Sequence, residues 1–305
     1  MPSKSDHSLD PLARRLRTLV QESPELKDTA QLYEVILPIL RDADLHIGDV
    51  SLTQEQVREK MDLGQPLLHG LNIELDIDAV RELMLRLVRA IEGLGTRNLP
   101  RILRLPWKQS SALSDTAMRR IGNAIEKDRL DLSVLLPHLA ANDHGPIEEA
   151  ARSLGLDPGL VTLLAQNVLK PALRALRVQV APLAKDIAWN KCECYICGFT
   201  ATLGELQENG QSLHLRCGQC GADWRFRRMR CPGCGNEDHR MRRYLYAEGQ
   251  SDRMRAEVCD ACRGYLKVIA AFTPTSPEML PVEDLATLHL DHIAQERGYR
   301  RMGSM

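Results

Sequence analysis

All nine cysteines of this 305-residue chain lie between Cys192 and Cys262, and eight of them form four C-x-x-C pairs: Cys194/Cys197, Cys217/Cys220, Cys231/Cys234 and Cys259/Cys262. A two-residue separation lets one tight turn aim both thiolates at a single ion, and two such turns held by a hairpin complete a tetrahedron. Nineteen residues separate Cys197 from Cys217, inside the roughly 15–20 of a four-cysteine metal module, and twenty-four separate Cys234 from Cys259. The pattern predicts two metal sites of four ligands each. Pairing first with second and third with fourth is the simplest topology, and the spacing also admits a crossed pairing. Four sulfurs suit zinc and mononuclear iron alike, whereas ferredoxin-type cluster spacing is absent. Disulfides would require an oxidising compartment, and a thioredoxin-like dithiol uses one pair in a βαβ setting. Gly198, Gly221 and Gly235 directly follow three of the pairs and Gly264 comes one residue later in the fourth, so each turn is expected to use glycine at positive φ. Cys192 is the odd cysteine and reads as an unligated thiol.

The first 191 residues hold no cysteine and read as helices. Asp10-Pro11 opens a stretch with Leu12, Leu16, Leu19 and Val20 on one side, and Ser23-Pro24 starts another with Leu26, Tyr33, Ile36, Leu37 and Leu40, which Pro38 should kink or end. Thr53 and Gln56 form a capping box before Val57 and Met61, with Gly64 as a stop. After Asp76, the series Val80, Leu83, Met84, Leu87, Val88 and Ile91 is strongly amphipathic and ends at Gly93 and Gly95; further helices are expected after Ser114 and Asp157. No catalytic constellation or phosphate loop stands out, and His46, His69, His138 and His144 lack neighbours at ligand spacing.

Beyond Ala188 the period changes to two: Leu213 and Leu215 alternate with His214 and Arg216, Trp224 and Phe226 with Arg225 and Arg227, and Leu266, Val268 and Ala270 with Tyr265 and Lys267. From Val282 a helix is expected through Leu285, Leu288 and Ile293, after the breakers Pro274, Pro277 and Pro281, with His289 and His292 on its surface. The fold class is therefore α+β: an all-helical domain over 1–188, a four-cysteine β module over 189–226, and a second over 227–305 with a C-terminal helix. Forty basic against forty-one acidic residues leave a net charge of −1, so no whole-protein field draws the chain to DNA or membranes. Arg225, Arg227, Arg228 and Arg230, and Arg240, Arg242 and Arg243, cluster beside aromatic residues, and a zinc-ribbon nucleic-acid surface is one reading of them. From Trp189 to Ala270, thirteen Lys or Arg stand against ten Asp or Glu, an excess that two divalent metals with eight thiolates would reverse, so balancing the metal thiolates is the favoured reading and no nucleic acid is expected. No apolar run approaches the length of a membrane span, and Met1 to Asp10 lacks the order of a signal peptide, which makes the cytoplasm the expected location.

The C-terminal part resembles the FdhE family of formate dehydrogenase accessory proteins. The resemblance is carried by Cys194-Tyr195-Ile196-Cys197-Gly198, Leu215-Arg216-Cys217 through Cys220 with Trp224, and Cys231 through Cys234. It continues through Glu257-Val258-Cys259-Asp260-Ala261-Cys262, Tyr265-Leu266-Lys267 and Asp284 to Leu288, ending at Gly298-Tyr299. It is fainter before Cys194, where Arg14 to Arg17, Leu19, Pro24 and Leu32 to Leu40 carry it, and Cys192 lies outside the family's eight-cysteine pattern. The resemblance implies a non-enzymatic, cytoplasmic maturation factor that binds the catalytic subunit of respiratory formate dehydrogenase before export. It also implies iron in two mononuclear, rubredoxin-like sites, with zinc as the alternative occupant. A rubredoxin-like electron-transfer protein is the competing reading, and the oligomeric state is left open.

Overall fold

The structure, a computed structural model, describes residues 10–71, 73–94, 115–185, 188–208, 210, 212–249 and 253–303. The sequence readings at Met1 to Leu9, Gly95 and Ser114 lie outside these residues. Contacts divide the chain into two compact units, Met1–Gly48 with Asn72–Ala172, and Asp49–Leu71 with Leu173–Met305. The division cuts the chain differently from boundaries after residues 188 and 226.

The first unit is helical. The Asp10 side chain accepts the Leu12 N–H to cap α1 (Pro11–Glu22), and Pro11 loses no hydrogen bond in the first turn. Helix α2 (Lys27–Arg41) contains Pro38 and is not ended by it, the alternative to a kink that the sequence offered, and Leu37 and Leu40 on either side are both buried. Further along, α4 (Ile77–Glu92) is capped by Asp76 and buries the whole expected apolar series. Between them lies α3 (Gln54–Asp62), a helix of the second unit, where the expected capping box forms reciprocally, Thr53 Oγ1 accepting from the Gln56 N–H and Gln56 Oε1 from the Thr53 N–H. Helices α5 (Asp115–Glu126) and α8 (Pro158–Val180) follow Ser114 and Asp157 as expected, with α6 (Leu132–Ala140) and α7 (Gly145–Ser153) between them.

In the second unit a seven-stranded mixed sheet joins what the sequence presents as two modules. Its order is β3 (Asp223–Phe226), β2 (Ser212–Arg216), β1 (Leu203–Gln207), β6 (Gly264–Ala270), β5 (Met254–Cys259) and β4 (Arg242–Leu245), with β7 (Arg300–Arg301) also on β6. Each cysteine module is an antiparallel three-stranded ribbon, and the two ribbons are joined by the parallel pairing of β1 with β6. Both ribbons repeat one order: C-x-x-C turn, two strands, second C-x-x-C turn, third strand.

The sheet is more deeply covered than period-two alternation implies. Arg216 is 2% exposed and Lys267 1%, and Tyr265 is buried, whereas Ala270, expected on the covered face, is exposed. Charged partners make the burial tolerable: Arg216 pairs with Glu205, and Lys267 with Asp284 at 2.8 Å and Asp291 at 2.7 Å. The C-terminal helix is split into α9 (Leu280–Ala286) and α10 (Leu288–Glu296), since the Thr287 hydroxyl donates to the Glu283 and Asp284 carbonyls at the joint. Pro281 stands within the first turn of α9, where proline is favoured, rather than ahead of it. Helix α10 contributes Leu290 and Ala294 to a core with Leu245, Val258, Tyr265 and Tyr299. His292 is exposed as expected and His289 is half-buried.

Candidate metal centres

The sequence places each C-x-x-C pair where a strand must turn, and the structure gathers the eight sulfurs consecutively into two tetrads. In the first, Cys194 Sγ lies 3.5 Å from Cys220 Sγ and Cys197 Sγ 3.5 Å from Cys217 Sγ. In the second, Cys231 and Cys262, and Cys234 and Cys259, lie 3.8 Å apart. Within each tetrad all sulfurs are within 4.8 Å of one another. A tetrahedral ion with metal–sulfur bonds of about 2.3 Å needs sulfurs about 3.8 Å apart. Both tetrads fit such an ion, and the chain has two four-cysteine metal-binding sites.

The turns are built as the glycines foretell, with one exception. Gly198, Gly221 and Gly235 have φ of 79°, 76° and 73°, and their N–H groups donate back to the carbonyls of Cys194, Cys217 and Cys231 at 2.9 Å. In the fourth turn the residue at positive φ is Arg263 (56°), and Gly264 already belongs to β6. The side chain explains how arginine holds a position that favours glycine: its guanidinium stacks 4.0 Å from the Tyr299 ring, reaches Asp260 Oδ1 at 3.3 Å, and donates to the Arg297 carbonyl at 2.6 Å.

The two sites differ in burial. All four cysteines of the first are buried, whereas in the second Cys234 is exposed and Cys262 partly so. Burial pushes the Cys197 and Cys220 thiols well up. Burial would raise Cys217 too, but the three neighbouring thiols hydrogen-bond to its sulfur and hold it well down. In the second site burial also raises Cys231, while at Cys259 the Cys262 and Ala261 N–H groups outweigh it and lower the thiol. A bound cation would keep the raised thiols, Cys197 and Cys220 in the first site and Cys231 and Cys262 in the second, deprotonated, so loading releases protons.

Several residues around the first site carry no sequence signal. Leu67 and Leu68 donate their N–H groups to the Tyr195 and Ile196 carbonyls at 2.7 and 2.9 Å, so segment 49–71 braces the first turn. The Arg174 guanidinium donates to the Pro277 carbonyl at 3.1 Å and lies close enough to feel the Cys220 charge; burial, the largest influence, lowers its pKa. Neither brace has a motif, because both depend on long-range packing. Cys192 joins neither tetrad, and burial, reinforced by the Glu193 charge, pushes its thiol up to about 12. Such a thiol is inert at neutral pH. Of the arginines assigned to thiolate balance, Arg242 is engaged by Glu257 at 2.5 Å and Arg243 by Asp260 at 2.9 Å.

A continuous sheet of two four-cysteine ribbons defines a protein with two metal-binding sites. Residues 229–305 match the description "FdhE, C-terminal domain". The "Protein FdhE homolog" of Stutzerimonas stutzeri (strain A1501) is 34% identical over 184 residues, covering 57% of this chain and 59% of that protein. That of Pseudomonas aeruginosa is 32% identical over 114 residues, 35% of this chain and 37% of that one, so the chain matches well under two thirds of either relative. A crystal structure of the FdhE protein from Pseudomonas aeruginosa shares the fold, with a TM-score of 0.57 at 21% identity over 96% of this chain and 92% of that one. The domain match makes residues 229–305 similar to the FdhE C-terminal domain, and the chain is similar over part of its length to FdhE homologues. Among the described residues no helix is long and apolar enough to cross a membrane.

Proposed function

We propose that the chain is a non-catalytic maturation factor for respiratory formate dehydrogenase, binding the catalytic subunit in the cytoplasm before export. All eight paired cysteines then serve as thiolate ligands, with iron as the resident metal in each site and zinc able to replace it. The observation that carries the reading is the pair of sulfur tetrads built into one sheet, in a chain whose residues 229–305 match the FdhE C-terminal domain. The metals would neutralise the thiolates and cross-link the turns, so that both ribbons present one fixed surface. The test is capture of the dehydrogenase catalytic subunit by the metal-loaded chain; retention is expected, and clean failure with both sites filled would overturn the reading.

Exposure of Cys234 supports a second reading, in which the second site passes electrons. Iron would then cycle reversibly with the fold intact, and native protein containing only zinc would remove this reading, since zinc has no accessible redox change.

A further inference from the structure

The two ribbons repeat one order of elements, and the repeat leaves one edge unmatched. In the second ribbon the third strand, β6, has its outer edge covered by β1, parallel along Val268–Ala270, and by β7 at Gly264–Tyr265. Among the described residues its counterpart in the first ribbon, β3, pairs with β2 alone. The Cys217 N–H donates to the Ala222 carbonyl at 2.9 Å in the register of that ladder. By antiparallel alternation Trp224 and Phe226 bond to β2, while Asp223 and Arg225 turn their backbone groups outward. An open strand edge therefore stands where the homologous edge already accepts a parallel strand.

The edge borders a groove of about 1120 Å³. Among the described residues four cationic side chains line it, Lys185, Arg225, Arg227 and Arg228, against one carboxylate, Asp223, which is held by His214 at 2.5 Å and Gln207 at 3.0 Å. Arg227 has only a loose contact with Glu237 at 3.8 Å. Ser212, 2% exposed on the same groove, has a buried hydroxyl with no hydrogen-bond partner among the described residues. Such a group calls for a polar ligand. The rings beside it do not suit stacked bases, since Trp224 is 6% exposed and Phe226 4%. An open row of backbone groups with an arginine rim suits polypeptide instead.

We propose that the open edge of β3 takes up an extended acidic segment of the partner polypeptide as an added strand, parallel to β3 as β1 is to β6. The ladder would supply affinity, and acidic side chains on one face of the segment would meet Arg225 and Arg227. The inference rests on the maturation-factor reading for the identity of the partner. The test uses the full, metal-loaded chain and the dehydrogenase catalytic subunit, with two variants: Arg225→Glu/Arg227→Glu, which reverses the rim, and Arg225→Pro, which removes an outward N–H without touching the β2 ladder. Metal content and circular dichroism establish that each variant is folded. At least a tenfold weaker capture by both, with two metals retained, is expected. Wild-type affinity in a folded, loaded variant overturns the groove while leaving the maturation reading standing; failure of the wild-type chain to capture the subunit overturns both. Displacement of the subunit by an oligonucleotide, or self-association abolished by the same substitutions, would reassign the edge to nucleic acid or to a second copy and overturn the proposal.

Discussion

Replacing Lys267 by methionine removes the only charge of β6 from a buried network while nearly preserving side-chain volume. Lys267 bridges Asp284 and Asp291 and donates to the Asp284 carbonyl oxygen at 2.7 Å; Tyr265 donates to Asp291 Oδ1 at 2.7 Å, and Gln295 to the Tyr265 hydroxyl at 3.2 Å. Arg301 completes the network against Asp284. Removing one partner of a buried pair costs about 3–5 kcal/mol, because the other charge is left without compensation. Here Arg301 still faces Asp284 and Tyr265 still donates to Asp291, which places the expected loss near the lower end, about 3 kcal/mol, or roughly 6–12 °C in Tm. Burial alone pushes the Asp284 carboxyl up, but the Arg301 and Lys267 cations outweigh it and hold the group at about 2. A carboxyl lowered on folding contributes stability that is fully present above its unfolded value of about 4. That contribution fades as the pH falls towards 2, so the deficit of the variant should narrow below pH 4. Urea unfolding followed by tryptophan fluorescence, at equal metal loading, measures both effects. A loss under about 1 kcal/mol at neutral pH, well below the range for a broken buried pair, would refute the reasoning.

Other expectations follow from the same geometry. A competing chelator should remove one metal from the exposed second site well before the buried first; simultaneous release of both would contradict the inequality drawn from Cys234. Gly221→Ala meets a conformational cost of about 1–2 kcal/mol and a Cβ only 2.5 Å from Pro277 Cβ, whereas Gly210→Ala, with nothing among the described residues within 4 Å, meets the conformational cost alone. Equal destabilisation of the two by thermal melting would show that the Pro277 contact is unimportant. Cys192→Ala should leave the metal content at two per chain, measured by elemental analysis; a drop to one would make Cys192 a ligand.

What the sequence made legible was whatever rests on local chemistry. Cysteine spacing located both sulfur tetrads, and the Thr53/Gln56 and Asp76 caps located α3 and α4, because a turn or a cap is decided by residues three or four apart. The parallel joining of β1 to β6 had no such signal. It brings Gly204 to Val268 across the chain, and nothing in either ribbon marks the edge that will be shared. The same blindness hid the burial of Arg216 and Lys267, whose polarity suggests solvent until Glu205, Asp284 and Asp291 arrive from distant segments. At the fourth turn, glycine counting favoured Gly264, yet Arg263 takes the positive φ because Tyr299 and Arg297, far along the chain, hold its side chain.

The central claim is that two separate four-thiolate sites staple one sheet, and native mass spectrometry of anaerobically purified protein tests it directly. Two metal ions per chain are expected in the wild type, with one remaining in Cys217→Ser and one in Cys259→Ser, and none in the double variant. One ion in the wild type, or two retained in either single variant, would contradict it.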